Sequence, residues 1–527
     1  MAEGQEAKQA VSEKGGAGEG ATQAGTGRAA AGATEQDVVN YAAQKGAMIE
    51  PKAVALLSKA HNFREIIGAL SSTGTFMIGA GAVEGKLAEG RAKVSSIKEE
   101  VIVKRPTFRA AAAELDAEMR IMKEYDVTGQ SAGQSGAKAF LEFFRDKFEF
   151  LSTLLKKRPG VSAKEISSLK GLPRNAEACV VGMVRKKWVS KNGNLTLLLE
   201  DLEDELIAIA LKDDKKMFEI SEHVLMDDVV AIKGRKISDG MAIIKEITWP
   251  DLPQRQARRS ERDLSAAVIS DMHVGSKLFL EKEYGKFLAW INGNVDSAAE
   301  AEAVGKIKYL FIAGDNVDGV GIYPNQYDEL AIKDVYMQYE KLSGLIAQIP
   351  EHIEIFMCPG QHDAVRRADP QPAVPKEYAG KLAEMKNVHL IGSPGWVEIE
   401  GLKCMVYHGA SLHDLITMVN FLSMKEPQKA MRELLIRRDL MTTYGMRQPY
   451  VPEKKDFMLI RDEPDMYIGG DMHHYGYDLY RGCTIINSGC WQGQTDFQLA
   501  QGHIPTPGIA ARIELKTGKI SEAKFIR

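Results

Sequence analysis

Five short apolar runs between residues 264 and 475 each end in a carboxylate, imidazole or amide side chain beside a glycine. They read "AAVISDMHVGS", "KYLFIAGDNVDG", "HIEIFMCPGQHD", "LKCMVYHG" and "PDMYIGGDMHH". Runs of this length, rich in Val, Ile, Phe and Met and stopped by Gly, have the pattern of buried strands. Helical spacing between them makes this part of the chain an α/β domain. In such folds the carboxyl ends of neighbouring strands meet at one edge of a sheet, so their side chains converge on one crevice. Glycine there lets the backbone turn sharply and approach a bound ion.

Mixed carboxylate, imidazole and amide donors suit Mn, Fe or Zn better than Ca, which takes oxygen alone. There are enough donors for two divalent ions. A carboxylate between them would bridge a pair about 3.5 to 4 Å apart, the spacing of two-metal phosphoester hydrolysis. Asp271 and His273 of "SDMHVGS" are then the first two ligands of a binuclear site.

A net charge of −4 over 527 residues excludes a chain that wraps nucleic acid by bulk charge. Five scattered cysteines fit unpaired core thiols in a reducing compartment better than a disulfide framework. No apolar run reaches the roughly 18 residues of a membrane span, and no signal-peptide core is present, so the expected location is cytoplasmic.

Composition divides the rest of the chain. Residues 1–35 are Gly, Ala, Gln and Glu with almost no large apolar side chain, which predicts a disordered tail. Residues 36–72 have helical periodicity broken by Gly46 and Pro51, a small helical docking module. Residues 73–175 are expected to be a linker that ends in the amphipathic helix "AKAFLEFFRDKFEFLSTLLKKR". From 176 to 250 the period shortens to that of five strands, with a link between the third and fourth, the layout of an OB barrel. Such barrels bind single strands through basic and aromatic grooves, and Arg185, Lys186, Lys187 and Trp188 can supply one. The acidic "EDLEDE" repels phosphate and places protein docking ahead of direct contact with DNA, with both left open.

The order Asp-x-His, Gly-Asp, Gly-x-His-Asp, His-Gly, Gly-x-x-His resembles the calcineurin-like metallophosphoesterases over roughly residues 264–500, which implies such a domain at 263–527. An OB barrel ahead of that domain is the arrangement of polymerase B-subunits. "PGQHDAVRRADPQPAVP" and "NSGCWQGQTDFQ" resemble the small subunits of archaeal family-D DNA polymerases. The resemblance implies a metal-dependent 3′-to-5′ proofreading exonuclease that is also a scaffold for a large catalytic subunit. It implies a heterodimer, a single-stranded DNA 3′ end as substrate, sliding clamp and primase as further partners, and a nucleoid-associated location.

Carried over by position, Asp271, His273, Asp315 and His473 would hold one ion, and Asp315, Gln361, His408 and Asp471 the second. The metal would be Mn first, with Fe, Mg or Zn as alternatives. His362 would be the general acid, positioned by Asp363; Arg366, Arg367 and Asn316 would contact substrate. Two positions depart from the superfamily pattern, which has Asn at Gln361 and His at Asp471. The alternative implied is a weakened or inactive B-subunit that only assembles the polymerase. A phosphoprotein phosphatase is disfavoured, because "GDNVDGV" and "PGQHDA" stand where that class has Gly-Asp-x-x-Asp-Arg-Gly and Arg-Gly-Asn-His-Glu.

Overall fold

The computed structural model describes residues 34–60, 63–72, 77–95, 108–131, 136–500 and 502–526. The tail expected at 1–35 lies outside them except for Thr34 and Glu35, as does part of "GQSAGQSGAK". The chain forms two units, Met1–Lys98 and Glu99–Arg527.

In the first unit, helices Glu35–Gln44, Pro51–Leu57, Phe63–Ser72 and Ala80–Ser95 surround Val38, Leu57, Ile67, Ile78 and Val83, all fully buried. Thr34 caps the first helix, accepting from the Asp37 amide at 3.2 Å while Asp37 accepts from Thr34 in return. Two short strands, β1 (Met48–Ile49) and β2 (Met77–Ile78), pair in parallel. The helical module therefore runs past residue 72: Ile78 and Val83 complete a core that the first three helices leave open.

In the second unit a 3-10 turn, Ala111–Glu114, and then β3 (Met119–Ile121) lie inside the stretch expected to be linker. Its backbone pairs antiparallel with a strand at 395–399, and Met122 packs beneath it. Three residues are too few for a strand periodicity to register in the sequence. Helix Ala137–Lys157 follows, with Phe143, Lys147, Phe148, Leu151 and Leu155 buried along one stripe.

Strands β4 (Glu177–Val189), β5 (Leu195–Glu200), β6 (Glu205–Ala210), β7 (Val229–Ser238) and β8 (Met241–Thr248) close a barrel in the order β4-β5-β6-β8-β7. Val184, Leu197, Leu199, Leu206, Ala208, Ile232 and Ile244 fill it. Helix Lys215–Glu222, capped by Asp214, links β6 to β7. Two of the barrel's basic residues are engaged: Arg185 pairs with Glu200 and Glu205, and Lys187 Nζ donates to the carbonyls of Glu222 at 2.6 Å and Val224 at 2.8 Å. Lys187 is thus not available to a groove, while Arg185 is paired at the surface and Lys186 and Trp188 are exposed. The Arg437–Asp228 pair at 3.2 Å and the buried Lys147–Asp439 pair at 2.6 Å fix barrel and helix to the domain that follows.

That domain has strands β9 (Ser265–Ile269), β10 (Ile307–Ala313), β11 (Glu354–Cys358), β12 (Val388–Leu390), β13 (Gly395–Ile399), β14 (Leu402–Val406), β15 (Met466–Gly469), β16 (Gly476–Tyr480), β17 (Cys483–Asn487), β18 (Ile509–Glu514) and β19 (Ile520–Lys524). They form two six-stranded sheets, ordered β12-β11-β10-β9-β18-β19 and β16-β17-β15-β14-β13-β3. The period-2 alternation of a strand explains how they stack. Ala266, Val268, Tyr309, Phe311 and Phe356 face Val397, Val406, Ile468 and Ile486 of the other sheet. On the opposite side of the first sheet, Ala267, Ile269, Leu310 and Ile355 pack on helices Glu281–Ile291 and Val335–Ile346. Met405, Tyr467 and Ile485 pack likewise on helix Pro427–Arg437. Burial on both faces explains the unbroken apolar runs, each such side chain contributing about 1.5–3 kcal/mol. All five cysteines are unpaired, and four are buried. No helix among the described residues is long and apolar enough to cross a membrane.

Candidate metal centre

The five ligand-bearing loops leave β9, β10, β11, β14 and β15, and their strands run parallel within each sheet. They do not share one sheet edge, as strand order alone suggests. Three come from the first sheet and two from the second, so the crevice lies across the ends of both layers. Backbone bonds hold the loops in step: the Asp271 amide donates to Gly314 O at 2.9 Å, His273 to Asp315 O at 3.0 Å and Gly470 to His408 O at 2.7 Å.

Asp271, His273, Asp315, Asp471 and His473 all have left-handed backbones, with φ between 47° and 65°. This conformation costs a side-chain-bearing residue about 1–2 kcal/mol, and its concentration at one site marks function. Two glycines make the convergence sterically feasible. A Cβ on Gly314 would lie 2.3 Å from His408 Nδ1, and one on Gly360 2.2 Å from Asp315 Oδ1.

At the first half of the cluster, His473 Nε2 is 3.3 Å from Asp271 Oδ1 and 3.1 Å from His273 Nε2. His273 Nε2 is also 3.8 Å from Asp315 Oδ2. Around the same Asp315 oxygen stand His408 Nε2 at 3.4 Å and His362 Nε2 at 4.0 Å, and His408 reaches Asp471 Oδ1 at 3.5 Å. Asp315 Oδ2 thus lies between the two halves.

The ring tautomers are set from outside. His408 Nδ1 donates to Ala313 O at 2.7 Å, and His273 Nδ1 to Asp318 Oδ1 at 3.0 Å, leaving Nε2 of each ring aimed inward. Burial pushes the Asp315 carboxyl up, but His408, His362 and His273 together hold it well below the usual range. Burial would lower His408, yet Asp315 and its neighbours hold it well above an ordinary imidazole. His473 is raised in the same way against its burial, by Cys490 and Asp271.

The buried atoms Asp271 Oδ1, Gln361 Oε1 and His408 Nε2 have no hydrogen-bond partner. Unpaired buried polar atoms of this kind are costly, and a cation bound by the two oxygens and by the deprotonated imidazole satisfies them. The residues present therefore fit divalent ions: Asp271, His273 and His473 form one group able to hold a metal, and Asp271, Asp315 and His408 another.

Three expected roles need correction. Asp363 does not touch the His362 ring. It accepts from Gly360 N at 2.9 Å, Asn316 N at 3.1 Å and Tyr339 Oη at 2.7 Å, tying two loops together. The His362 ring is instead held by the Asp318 carbonyl, to which Nδ1 donates at 2.8 Å. Asn316 is buried, with Nδ2 donating to Cys358 O at 2.9 Å, and so braces the loop rather than meeting substrate. Arg366 is spent on Pro370 O and on Glu453 at 2.9 Å and is not a free phosphate clamp, whereas Arg367 is exposed and donates only Nη1, to Ile322 O at 2.9 Å.

Two residues were missed. Asp318 orients His273 and is itself held by Gln326 and Gln492, both at 3.1 Å; its signal was the i+3 spacing from Asp315 in "GDNVDG". His413, from helix Leu412–Met418, lies 3.2 Å from Asp471 Oδ2. Nothing in "HGASLHD" distinguishes it from a surface histidine.

Comparison with known proteins places this two-sheet α/β sandwich, preceded by a five-stranded barrel and with an Asp/His crevice at its strand ends, in the class of polymerase B-subunits. The DNA polymerase alpha/epsilon B-subunit family matches residues 267–477. The DNA polymerase II small subunit of Archaeoglobus fulgidus is 37% identical over 473 residues, which cover 89% of this chain and 93% of that one. That of Methanocaldococcus jannaschii is 38% identical over 426 residues, covering 80% and 70%. The chain belongs to this family, the small subunits of the archaeal family-D DNA polymerases. Among solved structures, an archaeal phosphodiesterase aligns over 49% of this chain and 99% of its own at 13% identity, with a TM-score of 0.25.

Proposed function

We propose that the chain is a metal-dependent 3′-to-5′ exonuclease that works beside a large catalytic polymerase subunit and helps to hold it. The carrying observation is the set of orphaned buried atoms, Asp271 Oδ1, Gln361 Oε1 and His408 Nε2, around Asp315. Asp271, His273, Asp315 and His473 would hold one cation, and Asp315, His408, Gln361 and Asp471 the other. Mixed oxygen and imidazole donors favour Mn or Fe over Ca. When bound, two such ions would polarise a scissile phosphate and acidify a water. The calcineurin-like assignment of the sandwich and the OB assignment of the barrel belong to this reading.

The chain's own residues do the rest. His362 is the one imidazole of the cluster with a partly open side chain, 20% exposed. Its Nδ1 proton is committed to a carbonyl, so a proton for a leaving 3′ oxygen must come from Nε2 of the imidazolium. Asp363 and Asn316 keep the Gly360–Asp363 loop against Asp315, whose Oδ1 accepts from the His362 amide at 2.9 Å. A general acid so placed contributes about 10² to 10⁴ in rate.

The test is the chain purified alone and with its large subunit, given Mn and single strands labelled at either end. Asp315→Ala should abolish hydrolysis while assembly persists. Unchanged hydrolysis and metal content in that variant would dismiss the binuclear site.

One contact favours a second reading, an assembly subunit with a weakened nuclease. Gln361 Nε2 donates to Asp471 Oδ1 at 3.2 Å, so part of the second half satisfies itself. Wild-type protein that assembles with its polymerase partner yet takes up no second ion would select this reading.

A further inference from the structure

We propose that His413 is the positioning residue of the second cation, holding Asp471 so that one carboxylate oxygen stays directed at the shared centre. The proposal rests on the binuclear reading above and assigns a role to a residue outside the ligand set.

The two oxygens of Asp471 face different ways. Oδ1 looks inward, 3.5 Å from His408 Nε2 and 3.2 Å from the Gln361 amide. Oδ2 looks outward and accepts no hydrogen bond of good geometry; the charged group beside it is His413 Nε2 at 3.2 Å, an ion-pair contact. The carboxylate is 9% exposed, so an outer oxygen left alone would sit buried without water to solvate it. His413 reaches it from helix Leu412–Met418, which starts directly after the His408 loop. That helix is pinned by Leu412 and Leu415, both fully buried, while 39% of the His413 side chain stays open to solvent. The imidazole can therefore steer Asp471 without being part of the core.

The backbone gives Asp471 no comparable restraint. It is left-handed, and its amide is used on Asp271 Oδ2 at 3.1 Å, so only side-chain contacts choose the direction of its carboxylate. Without His413, Asp471 is free to rotate toward solvent or to close fully on Gln361. Either movement removes an oxygen from beside His408. Outer partners of metal-ligating carboxylates typically change metal affinity by about 10- to 100-fold when removed.

The experiment is Mn(II) binding to the full chain by equilibrium dialysis with metal analysis, with electron paramagnetic resonance on the same samples. Wild type, His413→Ala, His413→Gln and, as a first-site control, His473→Ala are compared. Wild type should take up two ions with a spin-coupled spectrum. His413→Ala should keep one tight ion, bind the second about 10- to 100-fold more weakly and show an uncoupled spectrum, with its unfolding temperature unchanged. His413→Gln, which retains an N–H donor, should recover part of the second-site affinity. His473→Ala should weaken the first site instead. Two ions bound to His413→Ala with wild-type affinity and coupling would overturn the role of His413 alone. Fewer than two ions on the wild type would overturn the binuclear reading and this proposal with it.

Discussion

Asp318 Oδ1 accepts from His273 Nδ1 at 3.0 Å inside the protein, and that bond determines which nitrogen of His273 faces the cluster. The carboxylate lies three residues beyond Asp315 and is fixed by Gln326 and Gln492. It is close to the centre yet engaged on its outer side.

Asp318→Ala should therefore release the His273 ring and weaken the first cation site by about 10- to 100-fold, with Asp318→Asn intermediate. Mn titration of both variants checks this, and equal affinities across the three proteins would show that Asp318 does not act through His273.

Metal uptake should expel protons. His408 and His473 are both raised well above the ordinary imidazole range, so near neutral pH the metal-free cluster holds protons on them. A cation needs the unprotonated Nε2, so binding displaces those protons and apparent affinity rises with pH, by about tenfold per unit for each proton released. Calorimetry in buffers of differing ionisation enthalpy counts them. A heat of binding independent of buffer would contradict the charge state inferred for the cluster.

Arg366→Ala should cost stability and leave substrate binding alone. The guanidinium pairs with Glu453 at 2.9 Å, and the Glu453 side chain is fully buried. Removing its cation partner should destabilise by about 1–3 kcal/mol, less than a fully buried pair because Arg366 is partly open. Denaturant unfolding measures the loss. An increase in KM for DNA with unchanged stability would restore the clamp role.

Asp369 predicts how stability changes with pH. Burial pushes its carboxyl up to about 7, although Tyr407 and Gln448 donate to it at 3.1 and 3.0 Å. An unfolded Asp loses its proton near pH 3.9, so between about pH 4 and 7 the unfolded chain releases a proton that the native state retains. Native stability from this group therefore falls as pH rises through that window and levels off above it. Asp369→Asn removes the dependence, so its stability relative to wild type should improve by about 2–4 kcal/mol from pH 4 to pH 8. A difference that stays constant over that range would place the Asp369 titration elsewhere.

The strands and their terminal ligands were legible in the sequence because both signals are local. "LFIAG" and "MYIGG" are apolar on both faces because each lies between a helix layer and a second sheet, and the polar residues begin where the strand stops. The five barrel strands, at their short spacing, were legible for the same reason. What tertiary structure alone decided is which loops meet. Strand order in the chain does not reveal that His408 and Asp471 come from the opposing sheet, since sheet assignment depends on long-range pairing. Nor does it separate Arg366 from a substrate clamp, because its partner Glu453 is distant in sequence and buried. β3 is too short to carry a period, and His413 acts only because a helix start sets it beside Asp471. Residue types and their spacing determined the donors this chain presents; the packing of two sheets determined which donors share a centre and which residues hold them in place.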